Sequence, residues 1–251
     1  MSMEKKKVKA DIRGRAMAWL FLLCALLAVL LGLTLRPAFY SSYWGDDPKA
    51  WLANPKAPAI LGYVSYEDVD RLFEAIPRAL NGDLDALRLR VWEEQDGGRP
   101  IFNEREIAHM ADVAHLYHLA KIVLAVTSLA LAGLALWSWR RVRRGASLAS
   151  LAKGALLGVL DVFALMGVLA LWALIDFRSI FWAFHHLAFT NDLWLLDPNT
   201  DLLIQMMPQG FFEQVARQIV LYWAGCATLW CACWGTALYH EKKKTGQGNF
   251  N

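Results

Sequence analysis

The sequence predicts an all-α membrane protein, a four-transmembrane-helix bundle with a small extracytoplasmic α(+β) cap between helices 1 and 2. Three observations carry this. Of 251 residues, 57% are hydrophobic. Four long runs are apolar: Ala16 to Leu35, Ile122 to Trp139 and Gln218 to Tyr239 hold no charge, and Gly154 to Ile175 holds only Asp161. Each is close to the roughly 20 apolar residues that cross a bilayer core. Finally, the charges between the runs are sorted by sign.

In chain order the reading is a basic tail (1–15), a first span (16–35), a cap (36–114), a second span (115–139), a loop (140–153), a third span (154–176), a loop carrying polar motifs (177–212), a fourth span (213–239) and a tail (240–251). The first run follows a basic leader but exceeds the about 7 to 15 residues of a signal-peptide core, so an uncleaved anchor is expected. The first tail, the 140–153 loop and the last tail hold fourteen Lys and Arg against three acidic residues. By the positive-inside rule these segments are cytoplasmic, and residues 36–114 and 177–212 lie on the opposite face. The net charge of +3 is thus a topology signal and gives no reason to expect a nucleic-acid partner.

Cys24, Cys226, Cys231 and Cys233 all fall within apolar runs, where small residues let helices approach. None occupies the external loops in which an oxidising compartment would pair them. Gly154 and Gly158 form a Gly-x-x-x-Gly face, another signal for close helix contact. Asp161 and Asp176 are costly in or beside a span and are expected to pair or line a cavity, Asp176 with Arg217.

Within the cap, "SYEDVDRLFEAIPRALNGD" has Ser65 three residues before Asp68, then Val69, Leu72, Phe73 and Ile76 at helical intervals. This reads as one amphipathic helix, bent at Pro77 and ending near Asn81-Gly82. "LRLRVW" alternates at the strand period and suggests a short β element. "NEREIAHMADVAHLYHLAK" begins a helix near Asn103 that enters the second span without a breaker.

Five of the six histidines, His109, His115, His118, His185 and His186, lie near the external face. Imidazole has an unperturbed pKa of about 6.5, which suits proton exchange near neutral pH. His109 and one of the pair His185/His186 come from distant segments to one level. Asp112 or Glu106 could orient His109 and fix its tautomer. No Gly-x-Ser-x-Gly or Ser-x-x-Lys motif supplies a nucleophile, so in acyl chemistry the substrate would bring its own. Metal binding is the competing use: His109, Asp112, His115, His118, His185 and His186 could in number make a zinc site, but the strong His-Glu-x-x-His spacing is absent, and no cofactor is expected.

"FNEREIAHMADV" (102–113) and "FHHLAFTNDLWLLDPNTDLLIQMMPQGFF" (184–212) together resemble the bacterial lipoprotein intramolecular transacylase family, four-span membrane proteins with an external cap. The resemblance implies an acyltransferase that moves the sn-2 acyl chain of a diacylglyceryl-cysteine lipoprotein to that cysteine's own α-amine, giving the lyso form. It implies catalytic roles for His109 and for His185, which directly follows Phe184, with His186 as the rival of His185. Glu106, Asp112, Asn191, Trp194, Asp197 and Asp201 would support the site or hold substrate, and diacylated lipoproteins and membrane lipids would be the partners. A metal-dependent membrane hydrolase and a non-enzymatic lipid-binding protein are the alternative classes.

Overall fold

The computed structural model describes residues 9–43, 66–91 and 99–247. They form two compact units, one of Met1–Ala28, Val123–Leu174 and Val220–Asn251, the other of Val29–Ile122 and Ile175–Ile219.

Among the described residues four helices are long and apolar enough to cross a membrane: α1 (Ile12–Thr34), α4 (Glu104–Arg143), α5 (Leu148–Ile175) and α8 (Gln209–Gln247). Between α1 and α4 stand a short α2 (Pro37–Ser41), α3 (Tyr66–Leu80), a 3₁₀ turn (Leu84–Leu87) and two strands, β1 (Arg90–Val91) and β2 (Arg99–Pro100). Between α5 and α8 stand α6 (Phe177–Ala188) and α7 (Leu202–Met206).

In the first unit α1 approaches α5 at glycines. A Cβ on Gly158 would sit 2.7 Å from the Ala18 Cβ and 2.8 Å from the Arg15 carbonyl, and one on Gly154 would collide with the Asp11 carbonyl. The Gly-x-x-x-Gly face is thus used for helix contact. Asp161 pairs with Arg15 at 2.9 Å, which answers the cost of its charge beside lipid. The indole of Trp223 on α8 donates to the Leu22 carbonyl at 2.8 Å. Around it Leu22, Val159, Val162 and Ala227 are buried. Leu129, Val168, Leu171 and Leu229 face outward. For spans, lipid is the solvent that covers such side chains.

The second unit has a conventional apolar core. Leu72, Phe73, Ile76, Ala79 and Leu80 of α3 are buried against Phe39, Leu87, Phe102, Met110, Leu203 and Met206. Their spacing is the one face of an amphipathic helix. The helix runs through Pro77 to Leu80, and Gly82 follows with φ of 104°, a left-handed conformation that closes helices at low cost for glycine. Ser65 and the side chain of Val69 fall outside the described residues.

The β element is smaller than the alternation of "LRLRVW" suggests. Leu87 belongs to the 3₁₀ turn, and among the described residues only Arg90–Val91 pairs, antiparallel, with Arg99–Pro100. Pro100 has no N–H to extend a ladder. The 177–212 segment, expected as a loop, contains α6 and α7. Asp176 accepts from the Ser179 N–H at 3.0 Å and so caps a new helix immediately after α5 ends.

Candidate active site

The first wall of the site is the start of α4. Asn103 and Glu106 form a reciprocal capping box: the Asn103 side chain accepts from the Glu106 N–H at 3.0 Å, and the Glu106 carboxylate accepts from the Asn103 N–H at 2.7 Å. The other Glu106 oxygen accepts from the Leu203 N–H at 2.7 Å, so one carboxylate serves the N-terminal turns of two helices. Glu106 is 1% exposed, and burial raises its pKa despite these backbone donors.

The helix so fixed projects His109 inward one turn later. The ring is 8% exposed, and Phe189 packs edge-on against it with centroids 5.3 Å apart. His109 precedes the apolar part of α4, so its surroundings are protein. Its pKa falls to about 4, first through burial, then through the nearby His185, with Asp112 acting in the opposite direction. The imidazole is therefore neutral at physiological pH, and its buried Nδ1 has no hydrogen-bond partner among the described residues.

Helix α6 supplies the second imidazole. His185 is 7% exposed, and its ring centroid lies 6.3 Å from that of His109. Its Nδ1 lies 2.7 Å from the Phe181 carbonyl oxygen one turn back. A carbonyl can only accept, so Nδ1 carries the proton and Nε2 is left with its lone pair. Phe181 at 4.1 Å, Trp194 at 4.9 Å and Phe184 at 5.2 Å surround the ring. Burial lowers the His185 pKa as well, partly offset by the Phe181 carbonyl.

The stretch after α6 is held by short polar bonds. Asp197 accepts from the Asn199 N–H at 2.9 Å, and Asp201 accepts from the Asp197 N–H at 2.8 Å and from the Asn103 side chain at 2.9 Å. Arg105 donates to the Asp192 carbonyl at 2.6 Å, and Asn191 donates to Asp112 at 2.8 Å. These bonds tie the loop to the start of α4, beside His109. Trp194, 7% exposed, braces His185 on one side and Trp182 on the other, 5.2 Å away.

His109 and His185 are thus together, with Trp194 against His185, while His186 is exposed against Trp182 and Trp194 at 6.0 and 5.1 Å. His115 and His118 are exposed. Two expectations need correction. Neither Glu106 nor Asp112 is hydrogen-bonded to His109: Glu106 is occupied by the backbone of Asn103 and Leu203, and Asp112 by Asn191. Asp176 does not pair with Arg217, because it caps α6, and Arg217 stays exposed. The residues that sequence reasoning missed are Phe181, Phe189, Asn103 and Arg105. Of these, Asn103 was readable, three residues before Glu106.

The family model described as "Lipoprotein intramolecular transacylase Lit" matches residues 15–212. The chain belongs to the Lit family. Solved Lit structures share the fold. That of the membrane-integral lipoprotein intramolecular transacylase Lit from Bacillus cereus superposes with TM-score 0.63 at 18% identity, over 92% of this chain and 95% of that one. A histidine-to-arginine variant of the same protein gives TM-score 0.60 at 19% identity over 93% and 92%, and a histidine-to-alanine variant 0.60 at 20% over 92% and 93%. No curated protein matches the chain. Membership makes this a chain of an acyl-transferring family, with four helices apolar and long enough for the membrane.

Proposed function

We propose that the chain carries out intramolecular transacylation of a diacylated bacterial lipoprotein, moving the sn-2 acyl chain from the glyceryl ester to the α-amine of the same N-terminal cysteine. The observation that carries this is the buried pair of imidazoles, His109 and His185, with centroids 6.3 Å apart in a chain of the Lit family. In the bilayer both termini are cytoplasmic and the pair faces the extracytoplasmic leaflet, where a two-chain lipoprotein lies.

His185 is the base. Its Nδ1–H is committed to the Phe181 carbonyl, so Nε2 can take a proton from the attacking amine. His109 donates a hydrogen bond to the ester oxygen as negative charge develops there. As the N–C bond forms and the ester C–O bond breaks, the amine proton passes through the pair to the departing glyceryl oxygen. Counted from the neutral amine, no proton is gained or lost. The aromatic wall of Phe181, Phe184, Phe189 and Trp194 keeps water away, which favours transfer to the amine over hydrolysis. Because amine and ester belong to one molecule, alignment supplies much of the rate. Glu106, Asp197 and Asp201 act indirectly by fixing α4, α7 and the loop between the histidines.

A metal-dependent hydrolase would need a ligand set; among the described residues no group of three His, Cys, Asp or Glu side chains is arranged to hold an ion. The test is an assay of the purified protein on an equal mixture of isotopically heavy and light synthetic diacylglyceryl-cysteine lipopeptides. The expected product has its amine blocked and one glyceryl hydroxyl freed, with each label retained on its own peptide. Released fatty acid without N-acylation would replace this reading with hydrolysis.

A further inference from the structure

A cleft of about 180 Å³ adjoins the histidine pair, with Asp112, His115 and Leu116 of α4 on one side and Phe189, Thr190 and Asn191 on the other. Phe189 is common to both places: it lines the cleft, and its ring centroid lies 5.3 Å from that of His109, edge-on, and 5.6 Å from that of His185. A group seated in the cleft is therefore one aromatic ring away from the pair.

The charged group of this cleft is Asp112. One carboxylate oxygen accepts from the Asn191 side-chain N–H at 2.8 Å. Asn191 is itself oriented, because its carbonyl oxygen accepts from the Leu193 N–H at 3.0 Å and leaves the amide nitrogen for Asp112. Among the described residues no Lys or Arg pairs with Asp112. Arg105, two turns back on the helix, is turned to the Asp192 carbonyl. A half-buried carboxylate, held by a neutral donor, lines the cleft with acceptor capacity to spare. Its complement is a small cation with several N–H donors.

The lipidated N-terminal cysteine of the substrate class proposed above carries one such group. The glycerol, its esters and the acyl chains are uncharged, whereas a free α-amine has a pKa of about 7.7 to 8.0 and is mostly an ammonium at neutral pH. We propose that Asp112, positioned by Asn191, binds the α-ammonium of the lipidated N-terminal cysteine in this cleft and selects a free N-terminus over an acylated one. This rests on the transacylase reading. Before attack the ammonium releases one proton to water through the open side of the cleft. The amine then forms the N–C bond, the ester C–O bond breaks, and the remaining transferable N–H proton passes to the glyceryl oxygen. The product nitrogen is a neutral amide, so it loses the attraction to Asp112 and leaves.

The test uses a pair of unreactive ligands, fluorescent dialkyl-ether analogues of the lipopeptide, one with a free N-terminus and one N-acetylated. Neither has an ester, so equilibrium binding to the full-length protein is read without turnover. The wild type is expected to bind the free-amine ligand roughly 10- to 100-fold more tightly, the range for a charge-assisted hydrogen bond. Asp112→Asn should lose the preference while still binding the N-acetyl ligand, and Asp112→Glu should keep part of it. Equal binding of the two ligands by the wild type, or an unchanged preference in Asp112→Asn, would overturn the inference. Failure of the transacylation assay would strike the catalytic reading alone, since ligand preference is measured separately.

Discussion

The rings of His109 and His185 stand 6.3 Å apart, centroid to centroid, each less than a tenth exposed and each held below the ordinary histidine pKa by burial. Two neutral imidazoles this close can divide the work of proton transfer, one taking and one donating. His109→Ala and His185→Ala should each lower turnover by roughly 10²- to 10⁴-fold. The double variant should be little worse than the worse single, as members of one catalytic unit are non-additive. His186→Ala should cost little, because that ring is exposed. Single-turnover rates with lipopeptide substrate check all four.

The depressed pKa of His109 ties stability to pH. The unfolded chain takes up this proton near pH 6.5 and the folded chain only near 4. The associated stability is complete above pH 6.5 and is lost as the pH falls through 6.5 towards 4, about 3 kcal/mol in all. His185 has the same sign. Thermal unfolding in detergent between pH 8 and 4 should show a slope that is shallower in His109→Gln.

Glu106 tests whether a residue of the matching motif is structural. Its two oxygens satisfy the N–H groups of Asn103 and Leu203. Glu106→Ala leaves both donors unmet and should destabilise by roughly 2 to 5 kcal/mol. Activity measured well below the new Tm should fall far less than in His109→Ala. A chemical role would reverse that order.

This carboxylate also marks where the sequence stops being legible. The four spans were readable because apolar run length is a local property, and Gly154 and Gly158 because small residues at that spacing have one common use. The convergence of His109 on the 185–186 pair followed from placing both segments at one end of the spans. Which carboxylate serves which group did not follow. Asp112 stands three residues from His109, yet its partner is Asn191 from a distant loop, and Glu106 reaches Leu203 across the fold. Helix α6 was hidden because its aromatic residues continue the apolar run of α5, and the break rests on the single cap Asp176.

At the close contact of α1 with α5, Gly158→Leu would drive a side chain into Ala18 and the Arg15 backbone. A loss of about 1 to 3 kcal/mol or more is expected, since overpacking against backbone has nowhere to relax. Leucine at Gly167, where a Cβ meets nothing within 4 Å, is the control. The check is the Tm of each variant in one detergent.

Orientation is tested by impermeant thiol labelling in a background whose four cysteines are replaced. Cysteine at exposed Ser42 or Thr200 should label in intact cells, and cysteine at exposed Arg144 only after lysis. The reverse pattern would place the histidine pair on the cytoplasmic side.

The central claim is that this histidine pair moves an acyl chain within one lipoprotein. Intramolecular transfer conserves every atom, so the intact mass of the lipidated N-terminus does not change, and the position of the chain must be read from fragments. Tandem mass spectrometry of a reporter lipoprotein from cells making this protein should give an N-acyl cysteine fragment and a mono-acyl glyceryl fragment. Cells making the His109→Ala/His185→Ala variant should give a free amine and a diacylglyceryl fragment. Identical fragments from the two cultures would contradict the claim.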